Sequence, residues 1–200
     1  MSGDVPVVNP WLAPSDRPGG TNGKPQRSVQ LAPDGLTGPT APQGAGIPPP
    51  ERALPVARPD VGQGPAWWWL GAHGGAGVSA LDEAVPGGRD AGRAWPSAAQ
   101  TQPVVLVARS SARGLDAAQN AARQWASRMV TGVDLLGLVV VADAPGRLPR
   151  ALRDRVRLVS GAVPRLWEIP WVEPWRLGEP HLPKACAALA RDLTRLTRPA

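Results

Sequence analysis

The chain has one cysteine, two lysines and no long apolar run, and each shortage closes off a class of protein. Cys186 cannot form an internal disulfide or by itself furnish a cysteine-based zinc site, and it reads as a small apolar filler on a helix. His181 has no His or Cys partner at ligand spacing, so no metal site is expected. No apolar stretch reaches the roughly 20 residues of a membrane-spanning helix. The start Met-Ser-Gly-Asp-Val-Pro lacks a basic region followed by an apolar one. A soluble, cytoplasmic protein without a membrane span is expected. Because Lys24 and Lys184 are the only lysines, the formal charge of +6 is carried by arginine, a usage that a GC-rich genome also produces by default.

The first part of the chain, residues 1–64, is rich in Pro, Gly, Ala and polar residues and has little apolar periodicity. Such a segment buries too little surface to offset its ordering entropy, and a disordered Pro/Gly-rich tail is expected. Its one apolar cluster, from Val5 to Leu12, fits either a short docking motif or the random apolar content of a tail. Residues 65–200 suffice for one modest domain with a real core. Charge divides the same way: five basic and five acidic residues up to residue 64, seventeen and eleven beyond.

Within residues 65–200, strand and helix signals alternate. Continuous apolar runs at residues 66–71, 103–108 and 135–142 have the character of central parallel strands, and a shorter one at residues 163–169 makes a fourth. Trp67, Trp68 and Trp69 would then point to alternate faces and be buried. A short helix is expected over residues 79–84, followed by a polar loop through Arg89, Asp90, Arg93 and Trp95. Ser110 or Ser111 can cap a second helix with Leu115, Ala118, Ala122, Trp125 and Met129 on one face. A third follows Pro149, and a last one over residues 183–196 carries a stripe of Leu182, Cys186, Leu189, Leu193 and Leu196. The expected fold class is α/β, a small parallel sheet with helices on both faces.

The first strand runs into His73-Gly74-Gly75-Ala76-Gly77-Val78-Ser79. Gly74, Gly75 and Gly77 would let backbone N–H groups turn inward around an anion, as in a phosphate loop, where a lysine then reaches the outer phosphates and Ser or Thr holds magnesium. Ser79 matches the magnesium position, but Val78 stands where the lysine belongs. This strand and loop resemble the deviant Walker A loop of the ParA/MinD family of P-loop ATPases, which carries a signature lysine before two glycines and a second one before Ser or Thr. His73 and Val78 occupy those positions, so both lysines are replaced. Val104 to Arg109, Leu136 to Asp143 and Glu168 to Trp171 are similar to later strands of that family.

The resemblance implies a P-loop NTPase-like domain in shortened form, with Asp143 and residues 170–174 beside a nucleotide-like pocket. Between the loop and Pro103 only Asp82, Glu83 and Asp90 are acidic, and none follows an expected strand, so the magnesium-directed aspartate of the family has no counterpart. The cofactor-binding candidates are thus Gly74, Gly75, Gly77, Val78, Ser79 and Asp143, with ATP or ADP held without hydrolysis. The competing reading of the glycines is a tight strand-to-helix connection that binds nothing.

Three functions follow. The first is a non-catalytic ParA/MinD-like scaffold or regulatory binding domain, monomeric or dimeric, serving a protein partner in a plasmid-partition, conjugation or positioning system. The second is a sequence-independent nucleic-acid binder using Arg150, Arg153 and Arg157, within a stretch from Arg147 to Arg165 where Asp154 is the only acid. The third is a weak ATPase, which would need a cation from elsewhere, such as Arg109 or Arg113. No catalytic residue is assigned. His73 reads as a polar residue at a strand end. Trp167, Trp171 and Trp175 are read as lining a partner groove or covering the sheet edge.

Overall fold

The computed structural model describes residues 35–58, 64–179 and 181–198. In chain order its elements are β1 (Val56–Ala57), β2 (Trp67–Gly71), α1 (Val78–Ala84), β3 (Gly88–Asp90), β4 (Trp95–Pro96), β5 (Gln102–Arg109), α2 (Ala112–Ala126), β6 (Val133–Val141), α3 (Arg150–Ser160), β7 (Leu166–Ile169), α4 (Glu173–Arg176) and α5 (Lys184–Leu196). β3-β2-β5-β6-β7 form a five-stranded sheet, parallel throughout, and β1 pairs with β4 in a separate two-stranded one. The protein is therefore α/β with a parallel sheet.

Parallel strands need crossovers that cover both faces, which is why β2 is buried at every residue. Trp68 and Leu70 pack with Leu106, Leu115, Trp125, Val156 and Val159 on the face covered by α2 and α3. Trp67 and Trp69 pack with Leu81, Val107, Ile169, Leu189 and Leu193 on the opposite face, under α1 and α5. Each such side chain taken fully out of water contributes about 1.5–3 kcal/mol. Where Val104 pairs with Leu135 and Val105 with Gly137, β6 holds one extra residue, Leu136. That bulge resets the alternation, so Leu135 and Leu138 both serve the first face while Leu136 and Val139 serve the second.

Several expectations need correction. The polar loop at Arg89 and Asp90 contains β3, an edge strand of three mostly exposed residues, too short and too polar to show a strand pattern. Met129 is 49 % exposed because α2 ends at Ala126 and Arg128 takes a left-handed backbone (φ 61°) that turns the chain away. Leu182 is 59 % exposed because it lies ahead of Pro183, where α5 begins.

The expected tail also divides. Residues 1–34, including the cluster from Val5 to Leu12, lie outside the described residues, whereas residues 35–58 are laid against the domain. The Thr37 N–H donates to Pro164 O (2.8 Å), the Gly44 N–H to Ala126 O (2.8 Å) and the Trp95 N–H to Pro55 O (2.8 Å). Gln124, only 3 % exposed, accepts from the Leu54 N–H and donates to the Leu54 carbonyl, both at 2.8 Å. Ile47 and Leu54 pack against the core cluster that contains Trp95. The domain thus begins well before residue 64.

On α5, Cys186 is the apolar filler it was expected to be, fully buried among Leu189, Leu193 and the second core cluster. Burial pushes its thiol up to about 11. The thiolate is the reactive form, so near pH 8 iodoacetamide should label Cys186 only when the domain opens, with rates that track denaturant. Fast labelling of the native protein would contradict this packing.

Candidate functional site

From β2 the chain passes through α1 to β3 on one side, and from β5 it passes through α2 to β6 on the other. Neighbouring parallel strands whose connections diverge leave a crevice outside their carboxyl ends, the usual ligand position in such sheets. Here that crevice lies between residues 72–77, after β2, and Arg109, at the end of β5.

The backbone of the glycine loop explains two of its three glycines. Gly75 (φ 73°) and Gly77 (φ 100°) adopt the left-handed region where a side chain is strained, and Gly77 stands at the start of α1. Gly74 meets open space at the place of a β-carbon and has no left-handed backbone, so the fold does not require a glycine there. Val78 is 8 % exposed and belongs to the apolar cluster under α1, while Ser79 is exposed. Both border the crevice, as do the three glycines, so the sequence candidates at the loop are brought together.

His73 and Arg109 fasten the loop. The Arg109 backbone N–H donates to His73 Nε2 at 3.0 Å, which requires that nitrogen to be unprotonated. The ring proton is then assigned to Nδ1, which donates to Gly74 O at 2.8 Å. Arg109 in turn reaches from β5 across the loop: its Nε donates to Gly75 O (3.2 Å) and its Nη1 to Ala142 O (2.9 Å). Gly114, at the start of α2, is needed beneath this tie, since a β-carbon there would collide with Arg109 O and lie 2.9 Å from His73 Nε2.

Two recesses meet at Arg109. One, of about 330 Å³, is bordered by the loop together with Asp90, Gly92 and Arg93. The other, of about 350 Å³, is bordered by Gly75, Arg109, Asp143, Trp171, Trp175 and Arg176. Asp143 is exposed, and its backbone N–H is held by Ser110 Oγ at 3.0 Å. The indole N–H groups of Trp171 and Trp175 are occupied by Glu173 Oε2 (2.6 Å) and His181 O (2.9 Å), and the Arg176 guanidinium lies 5.9 Å from the Trp171 ring centre. Trp167, by contrast, stands on the edge strand β7 and donates to Asp192 on α5 (3.2 Å), covering the sheet edge.

The expectation that no acid follows a strand here is corrected by β3, which ends in Asp90 beside β2. The Asp90 Oδ1 already accepts from the Gly92 N–H at 2.6 Å. Asp82, on α1, has a buried Oδ1 without a hydrogen-bond partner among the described residues. Its carboxyl is raised above the ordinary value, first by burial, then by Asp90 and Glu83, against a pull downward from Arg89. A carboxyl with a raised native pKa costs stability once ionised, and the cost fades as pH falls through that value toward the unfolded one. Asp82→Asn should therefore raise the melting temperature near neutral pH, with the gain shrinking in acid; a lower melting temperature at neutral pH would refute this.

The arginine candidates lie together on α3, away from the loop. Arg150 and Arg157 flank Asp154 (3.9 and 3.3 Å), and Arg153 Nη1 donates to Leu148 O at 2.8 Å. Arg155 pairs with Asp116 on α2 at 2.7 Å. Among the described residues no group of three or more His, Cys, Asp or Glu is placed to hold a metal, and no helix is long and apolar enough to cross a membrane. Sequence reasoning missed Asp90, whose strand is too short to recognise, and the fastening role of His73 and Arg109. The one signal for the latter is a cation ending an otherwise apolar strand.

No curated protein and no solved structure matches the chain. A family model matches residues 65–191, from just before β2 into α5, and leaves residues 35–58 outside. The chain belongs to that family, described as a family of unknown function (DUF6668).

Proposed function

We propose that this is a non-catalytic ParA/MinD-like domain, a shortened P-loop fold kept as a binding or regulatory scaffold, with the glycine loop retained as an anion cradle. The observation that carries the reading is the pairing of Val78 with Arg109. The position that would bring a lysine to a nucleotide's phosphates holds a side chain that neither donates nor carries charge, and Arg109 is the cation tied across the loop. Phosphoryl transfer rests on placed charge, and losing one such donor commonly costs about a hundredfold or more in rate. Asp90 engages the Gly92 N–H through Oδ1, which fixes its carboxylate at the end of β3.

The ligand this arrangement suits is a nucleotide, ATP or ADP, with its phosphates beside Gly75, Gly77 and Arg109 and its base toward Trp171 and Trp175. Binding without turnover would let occupancy control a protein partner or a dimer, in a partition, conjugation or positioning system. Calorimetric titration of the full chain with ATP, ADP and GTP, with and without magnesium, is the test. Saturable binding is expected, weakened about tenfold or more by Arg109→Gln, the loss of a charge-assisted contact. No binding of any nucleotide, or equal affinity in the variant, would overturn the proposal.

The competing reading, nucleic-acid binding by α3, is less favoured because Asp154 stands between Arg150 and Arg157 and offsets part of their charge. DNA affinity that falls steeply with salt and drops when these three are changed to glutamine would reverse that order.

A further inference from the structure

A larger cavity, of about 530 Å³, opens at the carboxyl ends of β5, β6 and β7. It lies on the other side of the sheet from α1: Leu148, Leu152 and Val140 in its wall belong to the core under α2 and α3. The recess at Trp171 and Trp175 instead abuts the cluster under α1 and α5. Asp143 is the one residue bordering both, and none of the glycine loop borders the larger cavity. Its volume falls within the range of sites that enclose a small organic molecule.

The lining has an apolar interior and a charged rim. Val140 is 3 % exposed, and Leu148 and Leu152 supply further apolar wall. Ser110, 4 % exposed, is the buried polar point; its oxygen accepts from the Asp143 N–H and retains a second lone pair for another donor. At the rim stand Asp143 and Glu168, neither with an ion-pair partner among the described residues, and Arg147 is the only cation in the lining. Carboxylates in excess, with a buried oxygen that can accept, call for a donor of positive charge. The wall calls for an apolar body.

We infer that this cavity is a second binding site, separate from the glycine loop, for a small apolar amine. The ammonium group meets Asp143 and Glu168, and the apolar body lies against Val140, Leu148 and Leu152. Because the cavity faces the β5–α2 and β6–α3 connections, its occupant bears on Ser110 and thereby on Asp143, the residue shared with the neighbouring recess.

The test uses two probes with one indole body and opposite charge, tryptamine and indole-3-acetate, titrated into the full chain and followed through backbone amide resonances. Tryptamine is expected to shift Ser110, Asp143 and Ile169 saturably and to bind at least about tenfold tighter than indole-3-acetate, as two carboxylates against one cation require. Glu168→Gln, at an exposed position, should remove most of that preference. Leu152→Trp should fill the cavity and abolish binding of both probes while ATP titrates as before, which separates failure here from failure at the loop. Equal or reversed preference between the probes overturns the inference, as do shifts centred on Gly75 and Gly77. So does a folded Leu152→Trp protein that still binds tryptamine; should that variant not fold, the Glu168→Gln comparison decides alone.

Discussion

Gln124→Ala should destabilise the protein by about 3 kcal/mol, three lost hydrogen bonds at roughly 1 kcal/mol each. The side chain is 3 % exposed. Its Oε1 accepts from the Leu54 N–H (2.8 Å) and from Trp95 Nε1 (3.0 Å), and its Nε2 donates to Leu54 O (2.8 Å). One amide therefore joins α2, the strand β4 and the segment of residues 35–58. Alanine leaves the fully buried indole of Trp95 without an acceptor and frees the segment that covers it. Chemical denaturation should show a lower midpoint, and limited proteolysis should cut at residues 44–54 well before the sheet unfolds. An unchanged midpoint with the segment still protected would mean that Ile47 and Leu54 hold it by apolar contact alone.

Gly88→Val should be at least as damaging. A β-carbon at Gly88 would collide with Nε1 of both Trp67 and Trp69. These indoles are 2 % and 0 % exposed and pack edge to face, with centres 5.7 Å apart and planes at 84°. Both are packed in the core, so overpacking of about 3 kcal/mol falls on β3, an edge strand. Its displacement would carry Asp90 and Arg93 away from the crevice and weaken ligand binding together with stability. Near-ultraviolet circular dichroism of the tryptophans and a melting curve read both effects. Gly74→Ala is the contrast: with open space where its β-carbon would go, it should leave the melting temperature nearly unchanged.

The central sheet was legible because buried parallel strands write themselves as unbroken apolar runs. Trp67, Trp68 and Trp69 alternate faces as a strand requires, and Leu115, Ala118, Ala122 and Trp125 form a helical stripe that is buried as expected. Ser111 caps α2, accepting from the Gly114 N–H at 3.2 Å. What escaped lacks a periodic signal. β3 is three residues long and mostly exposed, so its strand character comes only from pairing with β2. Residues 35–58 are Pro-rich and largely without regular structure, held by single backbone bonds and by Gln124, a glutamine indistinguishable in sequence from any polar residue on a helix. Met129 and Leu182 continue their stripes in sequence but lie beyond the helix ends, where spacing ceases to say which way a side chain faces.

At the candidate site, the glycines and Val78 were readable because a strand-to-helix turn has a local signature. The tie from Arg109 to Gly75 O and Ala142 O joins three strand ends distant in sequence, and only the folded sheet brings them together. The same holds for His73, whose Nε2 accepts from the backbone of β5. These long-range contacts turn a glycine-rich strand-to-helix turn into a braced crevice with a cation of its own.

The most direct test is phosphate release by the full chain with ATP and magnesium, at nucleotide concentrations where titration shows the protein saturated. The expected result is bound ATP with no release above the uncatalysed rate, in the wild type and in Ser79→Ala alike. Steady magnesium-dependent turnover, abolished by Ser79→Ala and by Arg109→Ala, would contradict it and make the loop a working hydrolase.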